Sequence, residues 1–313
     1  MVGTLYRIVT GAGTGNADKG RLALVLLLAG AACIAFSPIF VRLSEAGPTA
    51  TAFWRCALAV PALYIWLHYG AAAGMPAHKA RLTRRDFAIL ALAGVLFAGD
   101  LGAWHLSIMF TSVANATLLA NVAPLFVTLG GFLLFRERFT RLFLFGLALA
   151  MGGAGILMGD SLTLSPATFR GDLLGVLTAV FYAGYILAVG RLRARLSTRT
   201  VMFWATLASA ILLWPAALVS GEAILPTSAL GWLDLVALAL VSQVIGTGLI
   251  AYALAHLPAA FSSVGLLLQP VLAAALAWIL FGESLGAMQG LGALGVLFGI
   301  ALARKGSGAA KEP

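Results

Sequence analysis

The chain is apolar almost from end to end, and its apolar pattern is written twice. Pro124 recurs as Pro270, Gly146 as Gly292 and Gly153 as Gly299, all at one fixed spacing. Phe135-Arg136-Glu137 recurs at the same spacing as Phe281-Gly282-Glu283. An internal repeat in a chain that crosses a membrane many times limits the fold to two like halves. It also places any functional site between them, as in carriers built from repeats.

Composition closes off the soluble alternatives. Of the 313 residues, 61% are hydrophobic and only 10% are charged, against about 25% charged in a soluble domain. The net charge of +9 does not point to nucleic acid, because the basic residues punctuate the gaps between apolar runs. The two cysteines, Cys33 and Cys56, lie inside apolar segments and give neither a disulfide framework nor a metal spacing. No cofactor or metal is expected. Gly30-Ala31-Ala32-Cys33 lacks the Leu of a lipoprotein cleavage site, and the apolar run continues through Val41. Lys19 and Arg21 introduce a full-length span and not a cleaved signal.

A membrane helix needs ~20 apolar residues. Ten such runs are found, at 22–42, 49–69, 86–109, 113–135, 141–159, 172–190, 200–219, 233–255, 259–281 and 286–303. The expected fold class is an all-α integral membrane protein of ten transmembrane helices. Its organisation is a tail (1–20), a first five-helix repeat (21–160), a second (171–303) and a closing tail (304–313). Seventeen Lys and Arg fall on one side of this arrangement, and only Arg42 and Arg170 on the other. The positive-inside rule then puts both termini in the cytoplasm. A five-helix unit is odd, so the halves must insert upside down relative to each other. The predicted architecture is an inverted-topology repeat.

The residues that mark the repeat carry a family resemblance over roughly 22–303. Ala52-Phe53-Trp54-Arg55-Cys56-Ala57 is an aromatic-Arg-small stretch in the second span. Ala114-Asn115-Ala116-Thr117 runs on to Asn121-Val122-Ala123-Pro124, then to Glu137 and a Gly-rich span. Ala260-Phe261-Ser262-Ser263 runs on to Gln269-Pro270, then to Glu283 and a second Gly-rich span. This pattern resembles the EamA-like family of the drug/metabolite transporter superfamily. The resemblance implies efflux of small organic molecules, such as amino acids, related metabolites or drugs, across the bacterial inner membrane. It implies no particular substrate.

Several residues stand out as candidates for that task. Arg55 lies about six positions inside its span, or ~9 Å deep at 1.5 Å per residue. A charge at depth must pair, or face water or the bundle interior. Asp100, at a depth of ~10–15 Å in an antiparallel helix, is its expected partner. The pair would either line a central cavity or fix helix two against helix three. Arg55 has no counterpart in the second half, where Phe203-Trp204-Ala205 stands. Asp100 is also the candidate for proton coupling, being the only carboxylate well inside a span. Asn121, Tyr182, Tyr185, Gln243, Thr247 and Gln269 fall at mid-depth. They would contact substrate or form interhelical hydrogen bonds. His105, beside Trp104, reads as an interface anchor, with carboxylate binding or proton carriage as the alternative. Trp66, Trp214, Trp232 and Trp278 read as interface belts.

Pro124 and Pro270 predict matched bends, as hinges for alternating access or as static shaping. Glu137 and Glu283 read as structural fixtures at the start of the following helix. Gly155 with Gly159, Gly286 with Gly290, and Gly295 with Gly299 form GxxxG pairs. These predict packing of helix five on helix ten in preference to a dimer contact, so both monomer and homodimer stay open.

The expected function is a secondary transporter with the lipid bilayer and a small-molecule substrate as its partners. No HExxH, GxSxG or P-loop is present. The Gly11-to-Gly15 stretch reads as a flexible tail. An intramembrane aspartyl enzyme would need a second buried carboxylate. A non-transporting sensor or assembly protein has no sizeable soluble module to signal through.

Overall fold

The structure is a computed structural model that describes residues 16–72, 82–111, 113–158, 168–281 and 286–309. Ten helices are long and apolar enough to cross a membrane. They are α1 (Asp18–Leu43), α2 (Pro48–Tyr69), α3 (Arg84–Phe110), α4 (Asn115–Phe135) and α5 (Arg141–Met158), then α6 (Phe169–Arg193), α7 (Thr198–Val219), α8 (Ala229–Ala253), α9 (Ala259–Leu276) and α10 (Ala287–Ser307). No strand occurs among the described residues. This matches the hydrocarbon requirement that a spanning segment satisfy its own backbone. Ten crossings put the start of α1 and the end of α10 on one face, called here the terminal face.

In lipid the driving force for packing is close contact of small side chains, because lipid tails are as apolar as leucine. The interior follows this rule: Ala23, Ala31, Ala52, Ala59 and Ala150 are fully buried, while Phe145 and Phe298 face outward. The tightest contact joins α5 to α10. A Cβ on Gly153 would sit 2.6 Å from the Gly292 carbonyl oxygen, and one on Gly146 would sit 2.7 Å from that of Gly299. Rising numbers in α5 meet falling numbers in α10, so the two cross antiparallel. The predicted packing of five on ten is thus observed, and of the predicted GxxxG pairs Gly295 and Gly299 take part in it: an added Cβ on Gly295 would lie 3.2 Å from Gly153 Cα, and one on Gly299 2.7 Å from Ala150 Cα. Gly155, Gly286 and Gly290 have nothing within 4 Å of an added Cβ, and Gly159 lies outside the described residues. The contact uses glycines seven apart, one per two turns, and these are the glycines the repeat duplicates.

Several spans are interrupted. α4 breaks into a turn at Asn121–Val122 ahead of Pro124, and α9 breaks at Leu266–Leu267 ahead of Pro270. Each proline withholds the N–H that would have continued the ladder. The matched bends expected from the sequence are therefore present. α8 contains a nine-residue π-helical segment, Leu238–Gly246, which no sequence pattern announced.

Two carboxylates tie the bundle together on the face opposite the termini. Glu222, in the α7–α8 turn, accepts from Thr49 N at 2.8 Å and Thr49 Oγ1 at 3.1 Å. Glu45, in the α1–α2 turn, accepts from Thr227 N at 2.8 Å and Ser228 N at 2.9 Å, and from both hydroxyls. Each acid sits at the start of the other turn's following helix, where the helix dipole favours negative charge. Trp54 Nε1 donates to the Ile224 carbonyl at 2.8 Å, and the Trp54 ring lies edge-on to Trp232. Trp232 thus belongs to this clamp, and Trp66 packs on the core. Only Trp214 and Trp278, about half exposed, keep the character of belt residues.

The predicted helix-start role of Glu137 is also corrected. Thr140 Oγ1 caps α5 by accepting from Phe143 N at 3.1 Å, while the Glu137 carboxylate folds back against Gly131 of α4. Burial there raises its pKa above the usual carboxylate value. Glu283 lies outside the described residues.

Two measurements check these contacts. Gly292→Ala should destabilise the detergent-solubilised protein by about 1–3 kcal/mol through overpacking. Gly290→Ala, two residues away in open space, should be neutral or stabilise by about 0.5–1 kcal/mol. Thermal melts of the two variants decide. For the clamp, the Ser228 and Thr227 donors hold Glu45 at about 2, below its usual 4.5. Its contribution is complete above the unfolded value and is lost as pH falls through about 2. The melting-temperature gap between wild type and Glu45→Gln should therefore be constant from about pH 5 to 8 and close only on acidification.

Candidate functional site

Between the halves lies a cavity with about 970 Å³ of empty space, its open mouth included. One wall comes from a single face of α3, where Phe97, Asp100, Leu101 and Trp104 follow the helical i, i+3, i+4, i+7 spacing. Tyr182 and Tyr185 of α6 form the neighbouring wall. Their rings are stacked with centroids 6.3 Å apart, and Tyr185 lies 4.8 Å from Phe97. Thr117 and Asn121 of α4, Thr247 of α8, and Gln269 and Pro270 of α9 complete the polar lining. A smaller pocket between the two helix breaks shares Asn121, Tyr182 and Gln269 and also touches Pro124.

The sequence candidates are therefore brought together, with one exception. Arg55, Asp100, Asn121, Tyr182, Tyr185 and Gln269 all line the cavity. Gln243 does not; it lies fully buried behind Arg55. Its Oε1 accepts from Arg55 Nε at 3.0 Å, and its Nε2 donates to Thr206 Oγ1 at 3.2 Å.

This corrects the expected Arg55–Asp100 pair. No salt bridge joins them within 4.0 Å among the described residues. Arg55, 6% exposed, is held by Gln243 and stands over the Phe97 ring, with Cζ 5.8 Å from its centroid. Its stem and Nε are fixed, and no described group accepts from its Nη1 or Nη2. The Asp100 carboxylate likewise takes no hydrogen bond from a described residue. Arg55 and Asp100 thus line one cavity with no hydrogen bond or salt bridge between them among the described residues.

His105 departs furthest from its expected role. It is 1% exposed, not interfacial, and its Nδ1 donates to the Leu101 carbonyl at 2.7 Å. α3 continues to Phe110 and docks on the start of α6, where Ser107 Oγ donates to Gly171 O at 2.7 Å. The sequence reading missed Ser37, Phe97, Thr117 and Thr178 as lining residues. Phe97 was accessible from helical spacing alone, three residues before Asp100. Three polar atoms on the wall, Ser37 Oγ, Thr117 Oγ1 and Gln269 Nε2, are buried without a hydrogen-bond partner among the described residues. Such groups are costly unless a ligand or water meets them.

Comparison with known proteins gives the family. A model of the EamA-like transporter family matches residues 21–159 and 169–304. The chain belongs to the EamA-like transporter family. It is a multi-pass membrane transporter and not an enzyme. The pseudopaline exporter CntI of Pseudomonas aeruginosa is 28% identical over 266 residues, which cover 82% of this chain and 88% of that one. An uncharacterized transporter of Archaeoglobus fulgidus is 29% identical over 191 residues, covering 59% and 63%. A solved crystal structure at 18% identity shares the fold with a TM-score of 0.74, over 94% of this chain and 98% of its own.

The hydrogen-bond pattern predicts opposite effects for two glutamines. Gln243→Leu strands Arg55 and Thr206 and should cost about 3–5 kcal/mol of stability. Gln269→Leu removes a buried orphan donor and should leave stability unchanged or raise it by about 1–3 kcal/mol. Thermal melts of the purified variants measure the difference.

Proposed function

We propose that the chain is a secondary carrier that exports small zwitterionic, amphipathic metabolites, amino acids and related compounds among them, by alternating access. The observation that carries this reading is the cavity itself, with Arg55 and Asp100 uncommitted among Phe97, Trp104, Tyr182 and Tyr185. A guanidinium with open Nη nitrogens is a fork for a carboxylate. A free carboxylate nearby takes an ammonium, and the rings accept an apolar or aromatic body.

Asn121 and Gln269, at the two helix breaks, offer hydrogen bonds at mid-depth, where repeat carriers bind their cargo. Asp100 is also the group able to exchange a proton with the driving gradient. Pro124 and Pro270 supply the hinges.

The halves relate as an inverted repeat. The antiparallel α5–α10 crossing supports this, because exchanging the halves converts the Gly146–Gly299 contact into the Gly292–Gly153 contact. The basic residues favour a cytoplasmic terminal face in the inner membrane. Outward direction draws support from the Pseudomonas relative named as an exporter.

The test is counterflow in proteoliposomes with three related probes. L-phenylalanine carries both charges, 3-phenylpropionate lacks the ammonium and phenethylamine lacks the carboxylate. Wild type should exchange L-phenylalanine best. Arg55→Ala should raise its KM about 10- to 100-fold and erase its advantage over phenethylamine. Asp100→Asn should do the same relative to 3-phenylpropionate. Equal exchange of all three probes, unchanged in both variants, would overturn the reading. In the same assay Pro124→Ala with Pro270→Ala should slow exchange several-fold without lowering the melting temperature. Unaltered rates would assign the bends to static shaping.

A further inference from the structure

We infer that Gln243 and Thr206 are positioning residues for Arg55, a neutral brace that aims its guanidinium at the substrate anion without cancelling its charge. This rests on the reading above, in which Arg55 meets that anion, and it goes beyond it by assigning specificity to two residues outside the cavity wall.

The geometry is a relay across three helices. Arg55 belongs to α2, Gln243 to α8 and Thr206 to α7, and all three are buried, at 6%, 0% and 2% exposure. The amide of Gln243 has one acceptor and one donor at its end, and both are used. Oε1 takes the proton of Arg55 Nε at 3.0 Å, and Nε2 gives one to Thr206 Oγ1 at 3.2 Å. The donor-only arginine fixes the amide's orientation, so that oxygen and not nitrogen faces it, and the threonine hydroxyl, able to accept, anchors the other end. Holding the guanidinium through Nε leaves its end-on edge, Nη1 and Nη2, for a ligand. That edge matches a carboxylate with two parallel hydrogen bonds.

The choice of a neutral acceptor is informative. A carboxylate behind Arg55 would hold it more strongly and would also neutralise it. An apolar residue would leave a buried cation uncompensated. Glutamine orients the charge and preserves it.

Gln243 reaches this position because it lies in the π-helical segment Leu238–Gly246. A π turn carries an extra residue and rotates the side chains that follow it, and such turns gather at functional sites. The segment is locked in place at its end. Gly246 packs on Gly30 of α1 so closely that a Cβ on Gly30 would lie 2.8 Å from the Gly246 carbonyl oxygen. Thr247 Oγ1 donates to the Ser242 carbonyl at 3.1 Å, five residues back.

The experiment is L-phenylalanine and phenethylamine counterflow by Gln243→Glu, Thr206→Val and Arg55→Ala. Gln243→Glu retains the acceptor and adds a charge. It should fold and should raise the KM for L-phenylalanine about tenfold, with Vmax within about twofold of wild type. Thr206→Val releases the amide and should raise the same KM about threefold, again with little change in Vmax. In both variants the preference for L-phenylalanine over phenethylamine should fall.

A merely structural brace would instead lower the amount of folded protein and Vmax, with KM and preference unchanged. That result, alongside a defective Arg55→Ala, overturns the inference and leaves the carrier reading standing. Wild-type behaviour of Arg55→Ala would instead remove Arg55 from substrate binding, and both readings would fall together. Should Gln243→Glu fold poorly, Thr206→Val decides, since it removes one hydroxyl from a site that Val fills.

Discussion

A guanidinium cannot sit in the middle of a hydrocarbon bundle without compensation, and much of this structure is arranged around that fact. Arg55 is 6% exposed in a helix otherwise built of small and apolar residues. Its compensation comes from three sources: the Gln243 amide, the face of the Phe97 ring and the cavity it shares with Asp100. Each demands something of another helix. Gln243 needs the π segment of α8 to bring it round, and Thr206 of α7 to anchor it. Phe97 needs α3 to present the face that also carries Asp100 and Trp104. The close approach of α1 to α8 at Gly30 and Gly246 holds the π segment in register.

The frame around this site obeys a different rule. Where lipid gives no hydrophobic drive, helices adhere through backbone proximity, and glycine is needed where Cβ atoms would collide. The α5–α10 crossing is the plainest instance. It lies away from the cavity and uses residues that the repeat duplicates. The breaks in α4 and α9 are duplicated too, but they open toward the cavity, where Asn121 and Gln269 line its wall. Irregular backbone at membrane depth is tolerated where it lines a protein-enclosed space, and both breaks satisfy that condition.

Much of this was legible in the sequence. Ten apolar runs became ten helices, and the duplicated prolines and glycines marked the breaks and the tight crossing. Depth within the spans picked out seven candidate residues, six of which line one cavity. What stayed hidden has physical causes. Partner choice cannot be read from depth, and so Arg55 was matched to the carboxylate at its level and not to a neutral amide. Gln243 was assigned to the cavity by its depth, and depth does not tell which way a residue in the π segment Leu238–Gly246 faces. His105 was placed at the interface because the docking of α3 on Gly171 is a tertiary event. The GxxxG pattern picked out Gly295 and Gly299 of the α5–α10 crossing but also Gly155, Gly286 and Gly290 in open space, and it did not show the seven-residue spacing of the tightest contacts.

The division between duplicated and unduplicated residues bears on how the site works. The glycines of the crossing and the prolines of the breaks occur in both halves, as parts that act in matched pairs must. Arg55 does not, since Phe203-Trp204-Ala205 stands in the second half where Phe53-Trp54-Arg55 stands in the first, and the next residue, Thr206, anchors its brace. The second half therefore does not offer a second cation; its α7 supplies the anchor for the first. A symmetric pair of arginines would repel each other and would suit a symmetric dianion. A single arginine, braced from the opposite half and facing an uncommitted aspartate, suits a ligand with one negative and one positive end. Because the brace crosses between the halves, the orientation of Arg55 depends on how the halves sit against each other. In the proposed alternating-access cycle, rocking of α7 and α8 relative to α2 would loosen the grip of Arg55 on a substrate anion.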